Sequence, residues 1–284
     1  MTSILSLNEV SKNFPGFALH NISFALEPGY IMGLIGPNGA GKSTTIKLIL
    51  NMLRRDEGKI TVNGLDNVED EAEVKKQIGY VSDENLFVDE WKPEDVAKGL
   101  SMYYDTFDRD KFEQYLNTFG LPKDKVIKAY SHGMKTRLML AAALSRETRL
   151  LLLDEPTSGL DPTVRVEVLD ILQDYISDAQ HSVLFSTHIT TDLEKVADFI
   201  TFINRGELMF SSNKDEVLSK FRIIKGRPDE LTADLQQALI GLRKSSLGFE
   251  GLVKADGAPV PPATVVEVPT LEQIVVYHST GAIQ

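Results

Sequence analysis

Four ordered segments hold the residues best suited to chemistry. The first, Gly36-Pro37-Asn38-Gly39-Ala40-Gly41-Lys42-Ser43, matches the G-x-x-x-x-G-K-[ST] pattern. Its glycines let the backbone curl so that N–H groups point at phosphate oxygens. A helix starting after the loop turns its positive dipole end to the same anion. Lys42 adds a full charge at the β/γ-phosphates, and Ser43 offers a hydroxyl to Mg²⁺. Further along, Leu150-Leu151-Leu152-Leu153-Asp154-Glu155 is an apolar run ending in two carboxylates. A buried parallel strand accounts for the leucines. Carboxylates at the carboxyl end of such a strand sit where α/β sheets bind ligands. Asp154 suits Mg²⁺, directly or through water, and Glu155 suits taking a proton from an attacking water or orienting it. The other two segments are Tyr130-Ser131-His132-Gly133-Met134 and Ser186-Thr187-His188.

The elements needed to position these groups are legible in the same pattern. Ile31 to Ile35 is a short apolar run ending in the loop, and Thr44 to Met52 reads as a helix with Ile46, Ile49, Leu50 and Leu53 on one face. Strand, loop and helix are the context a phosphate cradle requires. Residues 4–10 and 20–26 alternate polar and apolar, as half-buried strands do. Gly58 to Gly64 predicts a strand closed by an Asn-Gly turn, and Ile78 to Val81 another strand. From about Glu84 to Ser145 helical spacing takes over, at Pro93–Tyr104, Asp108–Phe119 and Ser131–Ser145. Strand-like runs return at 150–153, 182–186, 199–203 and 207–210, with helices between. This alternation argues for an α/β core with a largely parallel sheet.

Beyond about Asn213 the pattern changes again. Phe221–Gly226 predicts a strand and Asp229–Ile240 a helix. Ala255–Pro262 is rich in turn residues, Thr264–Val268 predicts a strand, and Thr270 can cap a last helix. The expected division is an ATPase-like domain at 1–212, with a helical subdomain at about 84–145, and a small α+β appendage at 213–284. None of the phosphate-handling segments falls in the appendage, which is therefore expected to be dispensable for nucleotide binding.

Composition narrows the classes. At 42% hydrophobic and 25% charged residues the chain reads as an ordinary globular protein. A net charge of -11 argues against a general nucleic-acid binder. With no cysteine there is no disulfide, thiolate metal site or cysteine nucleophile. The first residues, Met1 to Ser6, do not have the pattern of a secretory signal. No stretch approaches about 20 consecutive apolar residues, so work at a membrane would need a spanning partner.

Taken together, these segments resemble the ATP-binding subunits of ABC transporters. Leu153 to Asp161 looks like that family's Walker B and D-loop run, Ser131-His132-Gly133-Met134 like its signature, and Ser186-Thr187-His188 like its H-loop. The resemblance covers roughly residues 4–210. It implies a P-loop NTPase core, an antiparallel β subdomain and Mg²⁺-dependent ATP hydrolysis. The implied nucleotide contacts are Asn38, Gly39, Ala40, Gly41, Lys42, Ser43 and Thr44, with Phe14 either stacking on adenine or serving as a core aromatic. Glu155, His188 and Lys42 are the implied catalytic groups, with His188 donating to the γ-phosphate. Ser131 and Gly133 would meet the nucleotide of a second ATP-binding subunit, in a homodimer or heterodimer. Integral membrane permease subunits would hold the chain at the inner face of the cell membrane, on the cytoplasmic side. Glu84–Glu94 is the expected contact surface.

Two departures stand out. The family's usual Leu-Ser-Gly-Gly-Gln is Tyr130-Ser131-His132-Gly133-Met134 here, and the Ser-x-Gly-Met form resembles exporter-like members. At the Q-loop position Asp83 replaces Gln. A carboxylate can approach Mg²⁺ but cannot donate as an amide does, so Asp83 is either a metal neighbour or a solvated loop acid. The other readings are a soluble ABC ATPase acting on ribosomes or DNA, and a regulatory nucleotide binder. The first usually carries two cassettes or long coiled coils, and the intact Lys42, Asp154, Glu155 and His188 disfavour the second.

Overall fold

The computed structural model describes residues 3–256 and 260–280. Part of the turn-rich stretch, residues 257–259, lies outside the described residues. The chain opens with β1 (Leu5–Phe14), β2 (Phe17–Leu26), β3 (Ile31–Ile35) and α1 (Lys42–Ile49). Next come β4 (Glu57–Val62), β5 (Leu65–Asp66), α2 (Glu71–Gln77) and β6 (Ile78–Val81). Three helices follow: α3 (Pro93–Tyr103), α4 (Arg109–Thr118) and α5 (His132–Leu144). Alternation resumes with β7 (Leu150–Asp154), α6 (Pro162–Ile176), β8 (Ser182–Thr187), α7 (Thr190–Val196), β9 (Phe199–Asn204) and β10 (Glu207–Asn213). The tail adds α8 (Lys214–Ser219), β11 (Phe221–Gly226), α9 (Ala233–Ala238), β12 (Ile240–Lys244), β13 (Phe249–Lys254), β14 (Val265–Glu267) and α10 (Leu271–Thr280).

One large sheet runs β5-β4-β1-β2-β10-β9-β3-β8-β7-β6. Its β6, β7, β8, β3 and β9 are parallel, and its β1, β2, β4 and β5 antiparallel. Strand β10 joins the halves, antiparallel to β9 and parallel to β2. The sequence dictates this division. Strands β3, β7 and β8 are buried along their full lengths, as strands covered by helices on both faces must be. β1 buries Leu5, Leu7 and Val10 and exposes residues between them, so only one of its faces meets a core. The Asn63-Gly64 turn forms as its residues predict, both with positive φ (49° and 84°), and pairs Val62 with Leu65.

The helical subdomain hangs on α5. Leu138 to Leu144 are all buried, in one cluster with Phe112, Leu116 and Phe119 of α4 and its end, and with Leu151 and Leu153 of the sheet. This unbroken run of Leu, Met and Ala is apolar all round, and such a helix is stable only when covered on every side.

The C-terminal segment forms a four-stranded sheet, β12-β13-β11-β14. Alternation along β11 faces it two ways. Ile223 joins the large core with Phe202, Leu271, Ile274 and Tyr277, while Ile224 joins Leu235, Phe249 and Val253 in a small cluster of its own. The helix expected over Asp229–Ile240 is shorter. A 3₁₀ turn occupies Pro228–Glu230, Thr232 caps α9 by accepting from the Leu235 N–H, and Leu239 is extended, so Ile240 already begins β12.

Candidate functional site

β3 delivers the phosphate loop and α1 leaves it, with Gly41 at the helix N-cap (φ 114°). Gly39 has φ 77° with nothing within 4 Å of a Cβ, so backbone conformation alone asks for glycine there. Gly36 is constrained by space: a Cβ would fall 2.1 Å from the Ile203 carbonyl oxygen. Asn38 and Gly39 are exposed at the loop's tip, Ala40 is buried beneath it, and Ser43 and Thr44 open the first turn of α1. The N–H groups of this first turn have no partner within the helix.

Lys42 is 6% exposed, and its ammonium donates to the Gly36 carbonyl at 2.9 Å. It also lies 3.6 Å from Glu155 Oε1. The other oxygen of Glu155 lies 2.7 Å from His188 Nδ1. Glu155 thus bridges the loop lysine and the histidine that follows β8. Its φ of 52° is left-handed, a strain of about 1–3 kcal/mol for a residue with a side chain. The Glu155 N–H donates to the Ser186 carbonyl at 3.0 Å, which holds that backbone in place. Asp154, 5% exposed, accepts from Ser43 Oγ at 3.1 Å and from Ser186 Oγ at 2.5 Å. Parallel pairing of β7 and β8 sets Asp154 opposite Ser186. Ser186 is therefore a direct partner that motif spacing alone did not single out.

Lys42, Ser43, Asp154, Glu155 and His188 thus converge at the carboxyl ends of β3, β7 and β8. The remaining residues lie elsewhere or act through neighbours. Phe14 stacks on Phe17 (6.3 Å, 27°), and Phe17 is the ring that meets the loop, 3.1 Å from where a Gly41 Cβ would stand. Ser131 caps α5, accepting from the Met134 N–H at 3.3 Å. Gly133 packs against Leu160, since a Cβ there would be 2.8 Å from its Cδ2. Asp83 is not among the hydrogen-bond partners of Asp154; its carboxylate lies 3.9 Å from His132 Nε2. The two departures from the family pattern, Asp83 and His132, therefore meet in space. Burial pushes the Tyr80 hydroxyl up against an opposing bond from Ser82, and the charges of Asp154, Glu84 and Asp83 push it the same way as burial.

A buried carboxylate beside an exposed hydroxyl on a phosphate loop suits a hard, oxygen-seeking cation such as Mg²⁺. Among the described residues no cluster of three or more His, Asp or Glu side chains forms a metal cage by itself. No helix among them is long and apolar enough to cross a membrane.

A phosphate loop, two strand-end carboxylates and a following histidine on this sheet define a nucleotide-binding ATPase fold. Comparison with known proteins narrows the class. The ABC transporter family matches residues 19–158. The ABC transporter ATP-binding protein YhcH of Bacillus subtilis (strain 168) is 30% identical over 98% of this chain and 92% of its own length. The linearmycin resistance ATP-binding protein LnrL of the same organism is 35% identical over 70% of this chain and 65% of its own. A solved ATP-binding subunit of an ABC transporter superposes with a TM-score of 0.70 at 26% identity, over 76% of this chain and 92% of that one. The chain belongs to the ABC transporter family, as an ATP-binding subunit.

Proposed function

We propose that this subunit hydrolyses ATP with Mg²⁺ and powers an exporter, working at the inner membrane face through permease subunits. The observation that carries the reading is the bridge Lys42–Glu155–His188 beside the Ser43–Asp154 pair. These groups surround the place where a γ-phosphate on this loop would lie. ATP supplies the phosphoryl group, and Mg²⁺, held by Ser43 and Asp154, supplies positive charge against the developing negative charge. In the chain itself, Lys42 leaves the Gly36 carbonyl and Glu155 for the phosphate. Glu155, released from that contact, accepts a proton from water, and His188 donates to the γ-phosphate.

The family resemblance has a second ATP-binding subunit supply Ser131 and Gly133 to this nucleotide, and the exposure of Ser131 in its own chain is compatible with that. The permease contact is the apolar groove of about 350 Å³ lined by Met52, Leu86, Phe87, Leu100 and Tyr104. It overlaps the expected 84–94 surface, and Met52 and Leu86 stand exposed at its mouth. Export is supported by the resistance function in the name of LnrL and by the Ser-x-Gly-Met signature.

The test is phosphate release from ATP by the purified chain, with Mg²⁺ and with the metal chelated. Turnover only with Mg²⁺ is expected, and equal turnover in EDTA would remove the metal from the scheme. Met52→Glu should keep this activity and lose co-purification with the permease.

A further inference from the structure

We propose that the chain carries a second ligand site, for an amphipathic organic anion, in the cleft where β10 meets the C-terminal sheet. The cleft encloses about 930 Å³, within the usual range for small-molecule sites. Phe210, Phe221, Leu239 and Ile240 give it an apolar wall. Arg205, Lys220 and Lys254 bring three cations to its lining, against the single carboxylate of Glu207. In a chain of net charge -11, that is a local reversal of sign. Lys220 reaches Glu216 at 3.6 Å, but both groups are largely exposed and hold each other weakly. Among the described residues Lys254 has no carboxylate within salt-bridge distance.

His278 of α10 also lines the cleft. It meets Phe202, Phe210 and Phe221 at 5.9, 6.2 and 5.1 Å, close to edge-on. Its Nδ1 lies 2.8 Å from the Ile274 carbonyl, which can only accept, so Nδ1 carries the proton. Burial pushes the ring's pKa down, the carbonyl bond opposes this, and the Lys254 charge adds to the lowering. The ring's neutral form is favoured, and it presents an aromatic surface beside the cations. An apolar body against the rings, with one carboxylate, sulfonate or phosphate at the lysines, fits this arrangement. A bare inorganic anion would leave the apolar wall unused.

The site is placed to act on the phosphate loop. Asn204, which ends β9, and Arg205, in the turn that leads to β10, both line the cleft. In that turn the Gly206 N–H donates to the Ala40 carbonyl at 3.0 Å, and the Gly206 carbonyl accepts from the His20 N–H at 2.8 Å. The neighbouring Ile203 carbonyl is the group that leaves no room for a Cβ on Gly36. A ligand that shifts Arg205 therefore moves the strand end against which the loop rests. This coupling rests on the ATP reading above, whereas binding in the cleft does not.

The probe is 1-anilinonaphthalene-8-sulfonate, titrated by fluorescence into the full chain without nucleotide. Saturable binding at one site is expected. The double variant Lys220→Glu/Lys254→Glu, both positions exposed, should keep its circular dichroism spectrum and weaken the probe at least about tenfold. Inorganic phosphate should fail to displace the probe at comparable concentration. Unchanged affinity in the double variant, loss of binding in Met52→Glu instead, or displacement by phosphate would each overturn the site. ATP affinity, measured by calorimetry with the probe absent and saturating, should differ about fivefold or more in wild type and not in the double variant. Equal ATP affinities in wild type would overturn the coupling. Probe binding in a chain that binds no ATP would instead sink the ATP reading and leave the cleft standing.

Discussion

Lys42, Asp154 and Glu155 on one side, and Ser131, His132 and Asp83 on the other, are held in opposite ways. The first three are buried or nearly so and bonded to one another's neighbours: Asp154 to Ser43 and Ser186, Glu155 to Lys42 and His188. The second three are exposed, with His132 at 46% and Asp83 at 55% side-chain exposure and 3.9 Å between them. Buried polar groups must find partners within the chain or lose the free energy of their desolvation. Exposed ones can keep water until another molecule replaces it. On the reading proposed above, one chain therefore bonds the phosphate-loop half of a site internally and leaves the signature half exposed. Substitutions in the bonded group should therefore cost more than those in the exposed one.

The largest effect is expected in the bonded half. Glu155→Gln keeps size and shape but cannot accept the proton, and loss of a general base typically costs about 10²–10⁴-fold in rate. Phosphate release should fall by that factor while ATP binding persists, because the carboxylate that competes for Lys42 is neutralised. Near-wild-type turnover would show that the bridge is a structural ion pair and nothing more.

A mixed-subunit experiment tests whether the open half serves a neighbour. Lys42→Ala should abolish phosphate binding on its own chain, and Ser131→Arg should block the site of the partner. Mixed together, the two variants leave one site damaged twice and one intact. ATP-dependent dimerisation, followed by light scattering, should return in the mixture and be absent from either variant alone. If both halves served a single chain, mixing would restore nothing.

How much of this was legible depends on how local each feature is. The phosphate loop, the β7 leucines and the Asn63-Gly64 turn are written in consecutive residues, and the structure puts them where their types demand. Ser186 escaped notice as a partner of Asp154 because that contact exists only through the β7–β8 register. Phe14 and Phe17 are cross-strand partners whose rings stack on one face of the hairpin, and Phe17 is the one that approaches Gly41, a contact between β2 and the loop that no single window contains. The approach of Asp83 to His132, 49 positions further on, lies outside any sequence window. In the tail, α9 has only six residues after a proline turn, and β12 starts at the Ile240 that the helical spacing had claimed, so the change of period fell inside the expected helix. The tail's union with the main core, through Ile223, Leu271 and Ile274 against Phe202, is a tertiary fact that no single window contains.

The smallest effect is expected where the two departures meet. His132 also lies over the D-loop turn, with its Cδ2 3.2 Å from where a Gly159 Cβ would stand. It links Asp83, just after β6, to the turn that precedes α6. Even as a charged pair, such an exposed contact contributes about 0–1 kcal/mol, so it can bias the orientation of the signature but cannot fix it. His132→Gly should leave ATP affinity of the single chain unchanged, because the bonded half does not touch it. It should shift the ATP concentration needed for dimerisation by no more than about fivefold, the most such a pair is worth. Asp83→Asn, which removes only the charge beside His132, should shift it no more than His132→Gly does, and the double variant should match His132→Gly alone. A loss of single-chain ATP binding in His132→Gly would join the two halves that the burial pattern separates. Additive effects of the two changes would show that Asp83 acts on something other than His132.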